Sequence, residues 1–254
     1  MSERRIVLVT GGTRGIGAAI ATAFLERGDT VAVCGRREPE EPPRHGESEA
    51  EFLAADVRDP EGAAALVESV LDRHGRLDVL INNAGGTAPG PAAEMSSRSA
   101  AAVVDLNLMA PFFVAQRANA AMQAQAEGGT MINIGSVAAL RPAEGTAMYA
   151  AAKAGLEVLT RALALEWGPK VRVNLVTPGV VETEGSARHY GGEVGLDAVR
   201  GVIPAGRMAR PEDIAAACVA LASEALGFVS GAELRVDGGG ELPGWLVALN
   251  SATG

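Results

Sequence analysis

Short runs of β-branched and aliphatic residues alternate along the chain with longer Ala- and Leu-rich stretches of helical period. The runs 5–10, 30–34, 51–55, 78–82, 130–135, 171–176 and 233–236 are four to six residues long and mostly free of charge. Strands buried on both faces of a parallel sheet read this way. Between them, the spacing predicts helices over 15–27, 60–73, 99–125, 148–167 and 211–222. Pro60 and Pro211 sit where a first helical turn tolerates proline. Gly168-Pro169 ends the fourth of these helices. Strand–helix alternation over the whole length argues for one doubly wound α/β domain, residues 1–254.

Two segments break the rhythm. Residues 38–50 hold three prolines and little apolar period, so a loop or a stunted helix is expected where a crossover helix would normally run. Residues 182–206 are Gly-rich and lack a clear period. A long irregular stretch inside a compact domain often forms a lid or binding loop, so this segment is expected to contact substrate.

Composition narrows the class. The 254 residues carry a net charge of −9 and are 48% hydrophobic but only 4% aromatic. Such a chain repels a phosphate backbone and lacks base-stacking platforms, which argues against nucleic-acid partners. Two cysteines, Cys34 and Cys218, make no disulfide framework and fit a reducing, cytoplasmic setting. No apolar run reaches the roughly 20 residues of a membrane span, so no membrane partner is expected. His45, His74 and His189 have no ligand spacing, and no metal site is expected.

The first strand leads into Thr10-Gly11-Gly12-Thr13-Arg14-Gly15-Ile16-Gly17, which opens a helix. Gly11 permits a sharp turn, Gly15 lets backbone approach a pyrophosphate, and Gly17 lets helix and sheet pack closely. The helix N-terminus then offers N–H groups and a positive dipole to the anion. The second strand ends Cys34-Gly35-Arg36-Arg37, without the carboxylate that would accept from an adenosine ribose 2′-OH. Arginine meets a 2′-phosphate with a bidentate fork, and Arg14, inside the glycine turn, could reach the same anion. The expected cofactor is therefore NADP(H), with NAD(H) as the weaker alternative.

Tyr149 and Lys153 lie four apart on one helix face. An ammonium beside the phenol favours the phenolate and makes tyrosine a usable general acid or base. Ser136 closes the strand 130–135 at the carboxyl edge, where ligands of open α/β sheets bind.

These features together resemble the short-chain dehydrogenase/reductase family, of the single-domain type. The motifs run in the family's order: TGGTRGIG at 10–17, Asp56-Val57, NNAG at 82–85, Asn107, Ser136, Tyr149-x-x-x-Lys153 and Pro178-Gly179-x-x-x-Thr183. The resemblance covers about residues 5–238. It implies a Rossmann-like, seven-stranded parallel sheet of order 3-2-1-4-5-6-7 with helices on both faces. It implies hydride transfer between NADP(H) and a carbonyl or secondary alcohol. In that reaction Tyr149 would be the general acid/base, Ser136 would orient the substrate oxygen, and Lys153 would tune the tyrosine and hold the nicotinamide ribose. Asn107 would hold a water that links Lys153 to solvent.

The cofactor would lie along Gly11, Thr13, Arg14, Gly15, Ile16 and Gly17, with Arg36 and Arg37 at the 2′-phosphate and Asp56 and Val57 at the adenine. Asn83, Ala84 and Gly85 would pass the ribose, whereas Asn82 would tie strands together. Pro178, Gly179, Val181 and Thr183 would hold the carboxamide and expose the pro-S hydride.

The resemblance also implies a homo-oligomer, a tetramer or dimer. The apolar tail 241–254, with Trp245, Leu246, Val247 and Leu249, is expected to pack on a neighbouring subunit or on its own domain. Arg188, His189 and Tyr190 are candidate substrate contacts, and Arg141 is a weaker candidate for a substrate anion. Within the enzyme class a 3-oxoacyl thioester or ketone reductase is the narrower expectation. A non-catalytic dinucleotide-binding regulator on the same fold is the alternative, but such proteins usually lose the tyrosine or lysine. A nucleotide-sugar epimerase would need more chain after Asn174 than is present.

Overall fold

A computed structural model describes residues 4–87, 89–184, 186 and 191–242. Seven strands form one sheet: β1 (Ile6–Thr10), β2 (Thr30–Gly35), β3 (Glu51–Ala54), β4 (Val79–Asn82), β5 (Gly129–Ile134), β6 (Val171–Pro178) and β7 (Glu233–Val236). Their order is β3-β2-β1-β4-β5-β6-β7, and every pairing is parallel. The chain winds outward in both directions from β1, so the order reverses between β1 and β4. The carboxyl ends of those two strands form the crevice in which such sheets bind ligands.

Strand alternation divides the core into two layers. Ile6 and Leu8 of β1 point to one face, where helices α2 (Pro60–His74), α4 (Ala110–Ala124) and α5 (Ala147–Trp167) cover them. Val7 and Val9 point to the other face, under α1 (Gly15–Glu26) and α7 (Pro211–Leu221). Both faces exclude water, which is why the strands read as unbroken apolar runs.

Local chemistry sets the helix ends. Asp59 caps α2 by accepting the Glu61 and Gly62 N–H groups, Pro60 follows it, and Gly75 closes the last turn at φ +74°. The expected helix 99–125 is interrupted. It consists of α3 (Ser97–Val104), a π-helical turn (Asp105–Met109) and α4. Pro111 is the physical reason available in the sequence, because it has no N–H to give the Asn107 carbonyl.

Segment 38–50 holds neither a long loop nor a helix turn but a small antiparallel ladder, Arg44–His45 with Ser48–Glu49, leaning on α1 through His45 and Glu26. Segment 182–206 also differs from expectation. It contains α6 (Glu193–Gly201), whose Leu196 packs with Ile203, Met208 and Val180 in a small core of its own.

Taken as one length, Ser97–Ala124 is long and apolar enough to cross a membrane by length and composition alone. Its buried face packs on α2 and the sheet, as a core helix does.

Candidate active site

The glycine turn is shaped by contacts that exclude side chains. A Cβ on Gly17 would lie 2.3 Å from the Gly11 carbonyl oxygen and 2.5 Å from Asn83 Nδ2. One on Gly11, whose φ is +61°, would meet Ala84 Cα at 2.9 Å. Gly12, which the sequence reading left without a role, backs onto Val33 Cγ1 at 2.6 Å by the same construction. Gly15 is different: its φ is +54°, and its Cβ position meets only Thr183 Cγ2, at 3.8 Å. The turn is jammed inward and open outward, toward Thr183. Arg14 precedes α1 in extended conformation and gives no side-chain cap, so the first N–H donors of α1 have no side-chain acceptor. A cradle of this shape and polarity fits a pyrophosphate.

Thr10 and Asn83 lock this turn to β4. Thr10 Oγ1 accepts the Asn83 and Ala84 N–H groups, each at 3.0 Å. Asn83 Nδ2 donates to the Thr10 and Gly11 carbonyls, each at 3.0 Å. Thr10, the first residue of the glycine motif, has no place among the expected site residues. Asn82 ties strands together: its Nδ2 donates to Asn133 Oδ1 at 2.9 Å, and Asn133 donates onward to Thr160 Oγ1 at 2.9 Å.

Arg36 and Arg37 are exposed at the end of β2, and Arg14 is exposed in the turn. Among the described residues none of the three forms an ion pair. Asp56 is held by Arg58, whose Nε and Nη2 reach its two carboxylate oxygens at 2.9 and 2.5 Å. Arg58, with help from the charge of Arg36, holds the Asp56 carboxyl down at about 2. Val57 is buried beside it. Ile16, in the first turn of α1, packs on the core layer beneath that helix.

The candidate reacting groups converge at the carboxyl ends of β4 and β5. Ser136 follows β5 in extended conformation, and its hydroxyl is near enough to the Tyr149 phenol to favour the phenolate. Burial raises the phenol's pKa, and the serine contact only partly offsets this. The lowering expected from Lys153 is therefore not the dominant effect in the protein alone. Lys153 Nζ lies 5.8 Å from the Tyr149 ring centroid, donates to the Ile134 carbonyl at 2.8 Å and is 4% exposed. Burial pushes its ammonium down to about 8.

Gly85 crosses above: a Cβ there would meet Asn107 Oδ1 at 3.0 Å and Lys153 Nζ at 3.4 Å. Asn107 is fully buried in the π-helical turn. Its Oδ1 accepts the Gly86 N–H at 3.1 Å, and its Nδ2 donates to Gly86 and Val103 carbonyls at 2.7 and 2.8 Å. The side chain is thus spent on backbone. Its main-chain carbonyl faces the position of Pro111, which has no N–H to give it.

Gly179 meets β7, its Cβ position 2.8 Å from Asp237 Cα, which fixes the exit of the chain after Pro178. Val181 bridges Ala209, and the Thr183 N–H donates to Ser186 Oγ at 2.8 Å. Arg200 of α6 bonds Glu182, Glu193 and Asp197 at 2.9, 2.6 and 2.8 Å. Arg141, a candidate for a substrate anion, is engaged by Glu241 instead, at 2.6 Å. Arg188, His189, Tyr190 and the apolar residues Trp245, Leu246, Val247 and Leu249 lie outside the described residues.

Comparison with known proteins agrees with this geometry. A family model described as Enoyl-(Acyl carrier protein) reductase matches residues 11–241. D-threitol dehydrogenase of Mycolicibacterium smegmatis is 37% identical, over 93% of each chain. A 3-oxoacyl-(acyl-carrier-protein) reductase of Chlamydia muridarum is 35% identical, over 92% of this chain and 96% of that one. Among solved structures, the aldohexose dehydrogenase of Thermoplasma acidophilum superposes with a TM-score of 0.86 at 28% identity, covering 93% of this chain and 94% of that one. A short-chain dehydrogenase/reductase of Serratia marcescens gives 0.84 at 31% identity, over 92% and 97%. The chain belongs to the short-chain dehydrogenase/reductase family and is an oxidoreductase of alcohol and carbonyl groups.

Proposed function

We propose that this protein is an NADP(H)-dependent carbonyl reductase or alcohol dehydrogenase in which Tyr149 moves the proton. The observation that carries the reading is the placement of Ser136 and the buried ammonium of Lys153 around the Tyr149 phenol, with Lys153 Nζ 5.8 Å from the ring centroid. Bound NADP(H) supplies or accepts the hydride. Ser136 holds the substrate oxygen beside the phenol. Tyr149 gives that oxygen a proton during reduction and takes one during oxidation. Lys153 supplies positive charge at the phenol, and the Asn107 carbonyl holds the water through which the proton is replaced. Gly11 to Gly17, Asp56, Val57, the 83–85 backbone, Pro178, Gly179, Val181 and Thr183 would hold the dinucleotide. Such a complete catalytic set favours an enzyme over a non-catalytic regulator.

The preference for NADP(H) over NAD(H) rests on Arg14, Arg36 and Arg37. They are exposed and free of ion pairs among the described residues, and no carboxylate ends β2. The substrate is a small carbonyl or alcohol, with a 3-oxoacyl thioester as the narrower alternative suggested by relatives. The cytoplasm suits two buried free thiols, Cys34 and Cys218. A dimer or tetramer would cover the apolar 18-residue stretch within Ser97–Ala124 that is only 33% buried, and the neighbouring Val158 and Leu165 of α5, which are 58% and 86% exposed. Sedimentation that returns a monomer removes the assembly.

One experiment tests the chemistry and the cofactor together. Cofactor oxidation is screened over ketones, sugars and thioesters, with fluorescence titration of both nicotinamides. Wild type should bind NADPH at least about tenfold more tightly than NADH. Tyr149→Phe should abolish turnover and keep NADPH affinity. Turnover surviving in Tyr149→Phe removes the mechanism, and equal affinities remove the cofactor preference.

A further inference from the structure

The turn that begins at Ser136 ends on a guanidinium. Ser136 starts a single 3-10 turn, Val137–Ala139. Its hydroxyl accepts the Ala138 N–H at 3.2 Å, and the Arg141 N–H donates to the Val137 carbonyl at 2.9 Å. Serine and arginine therefore belong to one short hydrogen-bonded unit.

From there the Arg141 side chain reaches the segment after β7. Its Nη2 lies 2.6 Å from Glu241 Oε2 and 3.6 Å from Asp237 Oδ2. Between the two carboxylates stands Gly240, at φ +78°. A Cβ there would lie 2.7 Å from Arg141 Nη1 and 3.3 Å from Cζ. The guanidinium thus rests against bare backbone that only glycine provides.

The other edge of the same segment seats the end of α6. A Cβ on Gly238 would meet Ile203 Cγ2 and Ala205 Cβ, both at 2.9 Å. The Ala205 N–H donates to the Gly238 carbonyl at 3.0 Å, and the Leu242 N–H donates to the Val202 carbonyl at 2.8 Å. Residues 237–242 are therefore clasped by Arg141 on one side and by the chain leaving α6 on the other.

We propose that Arg141 is a positioning residue that fixes the Ser136 turn to the segment seating α6. The proposal rests on the reading of Ser136 and Tyr149 as the reacting pair. A half-exposed ion pair alone contributes little. Here a planar fork, two carboxylates and a glycine surface specify one geometry, which a lysine cannot copy. Arg141 acts through Ser136 and does not bind a substrate anion.

Kinetics and exchange test this. Arg141→Ala should lower kcat about tenfold, while NADPH affinity changes less than about twofold, because only the serine's placement is relaxed. Arg141→Lys should recover part of the loss. Glu241→Gln should lower kcat in the same direction, and the double variant should be no worse than Arg141→Ala, since one contact is removed twice. Hydrogen exchange should rise together in 137–141 and 238–242 and stay unchanged in β1 and β4.

Tyr149→Phe, run alongside, separates the two claims. Turnover in that variant overturns the reading of the site. An inactive Tyr149→Phe, with Arg141→Ala at wild-type kcat and KM or changed only in melting temperature, overturns the role of Arg141. Glu241→Gln and Arg141→Lys carry the same test if Arg141→Ala does not fold.

Discussion

Lys153 is an ammonium that the fold has stripped of water, and this has a consequence for stability as well as chemistry. It donates to the Ile134 carbonyl, and burial brings its pKa from 10.5 down to about 8. Between these values the unfolded chain holds the proton and the folded protein has lost it. Stability therefore rises with pH across that window, because the unfolded state binds more protons. Below about 8 both states are charged, and the folded one bears the full desolvation cost. Lys153→Met removes this titration. Urea unfolding from pH 7.5 to 10.5 should show wild type gaining on the variant by up to about 3 kcal/mol. Parallel curves for the two proteins would show that the ammonium keeps an ordinary pKa. The variant should also lose turnover at every pH, since the phenol loses its neighbouring charge.

The glycine turn between β1 and α1 does two separable things. Gly17 is a packing residue: its Cβ position overlaps Gly11 and Asn83, so Gly17→Ala should cost about 1–3 kcal/mol of folding stability. Gly15 faces open space, so Gly15→Ala meets no core atom and costs about 1 kcal/mol through its positive φ. Its methyl group projects where the dinucleotide would lie. Thermal melts and NADPH titration should show Gly17→Ala losing stability first. Gly15→Ala should stay folded while affinity falls. The reverse ranking would contradict the division of labour.

These elements also show how far sequence carries. Periodicity placed all seven strands within two residues of their ends, because each is buried on both faces and depends on its own apolar run. The site was readable where chemistry demands local spacing, as at Tyr149 and Lys153. Helix α6 was not, because its single buried residue, Leu196, finds partners at Val180, Ile203 and Met208 that no period reveals. The π-helical turn at Asn107 left one local sign, Pro111, inside a run that otherwise reads as continuous helix. The Arg141 clasp joins positions a hundred residues apart and leaves no local sign at all.

Charge across the whole molecule bears on the substrate. Part of the acidic excess behind the net −9 lies on loops at the carboxyl edge of the sheet. Among the described residues, the loops following β4, β5, β6 and β7, taken to the starts of α3 and α5, the end of α6 and residue 242, carry Glu94, Glu144, Glu182, Glu184, Glu193, Asp197, Asp237 and Glu241. Their two cations, Arg141 and Arg200, are both spent on carboxylates. A phosphate-bearing substrate handle would approach a negative mouth without a free cation among these residues, within a Debye length of about 10 Å at 0.1 M salt. An uncharged ketone or alcohol meets no such barrier.

A matched pair isolates the effect: the same 3-oxoacyl group offered as its coenzyme A thioester and as its neutral N-acetylcysteamine thioester. The neutral ester should have the higher kcat/KM at 50 mM salt, by about tenfold, and the gap should narrow at 500 mM as screening removes the repulsion. A neutral ketone should show little salt dependence over the same range. Preference for the coenzyme A ester at low salt would place a cation at the mouth that the described loops do not supply, with Arg188 the first to substitute.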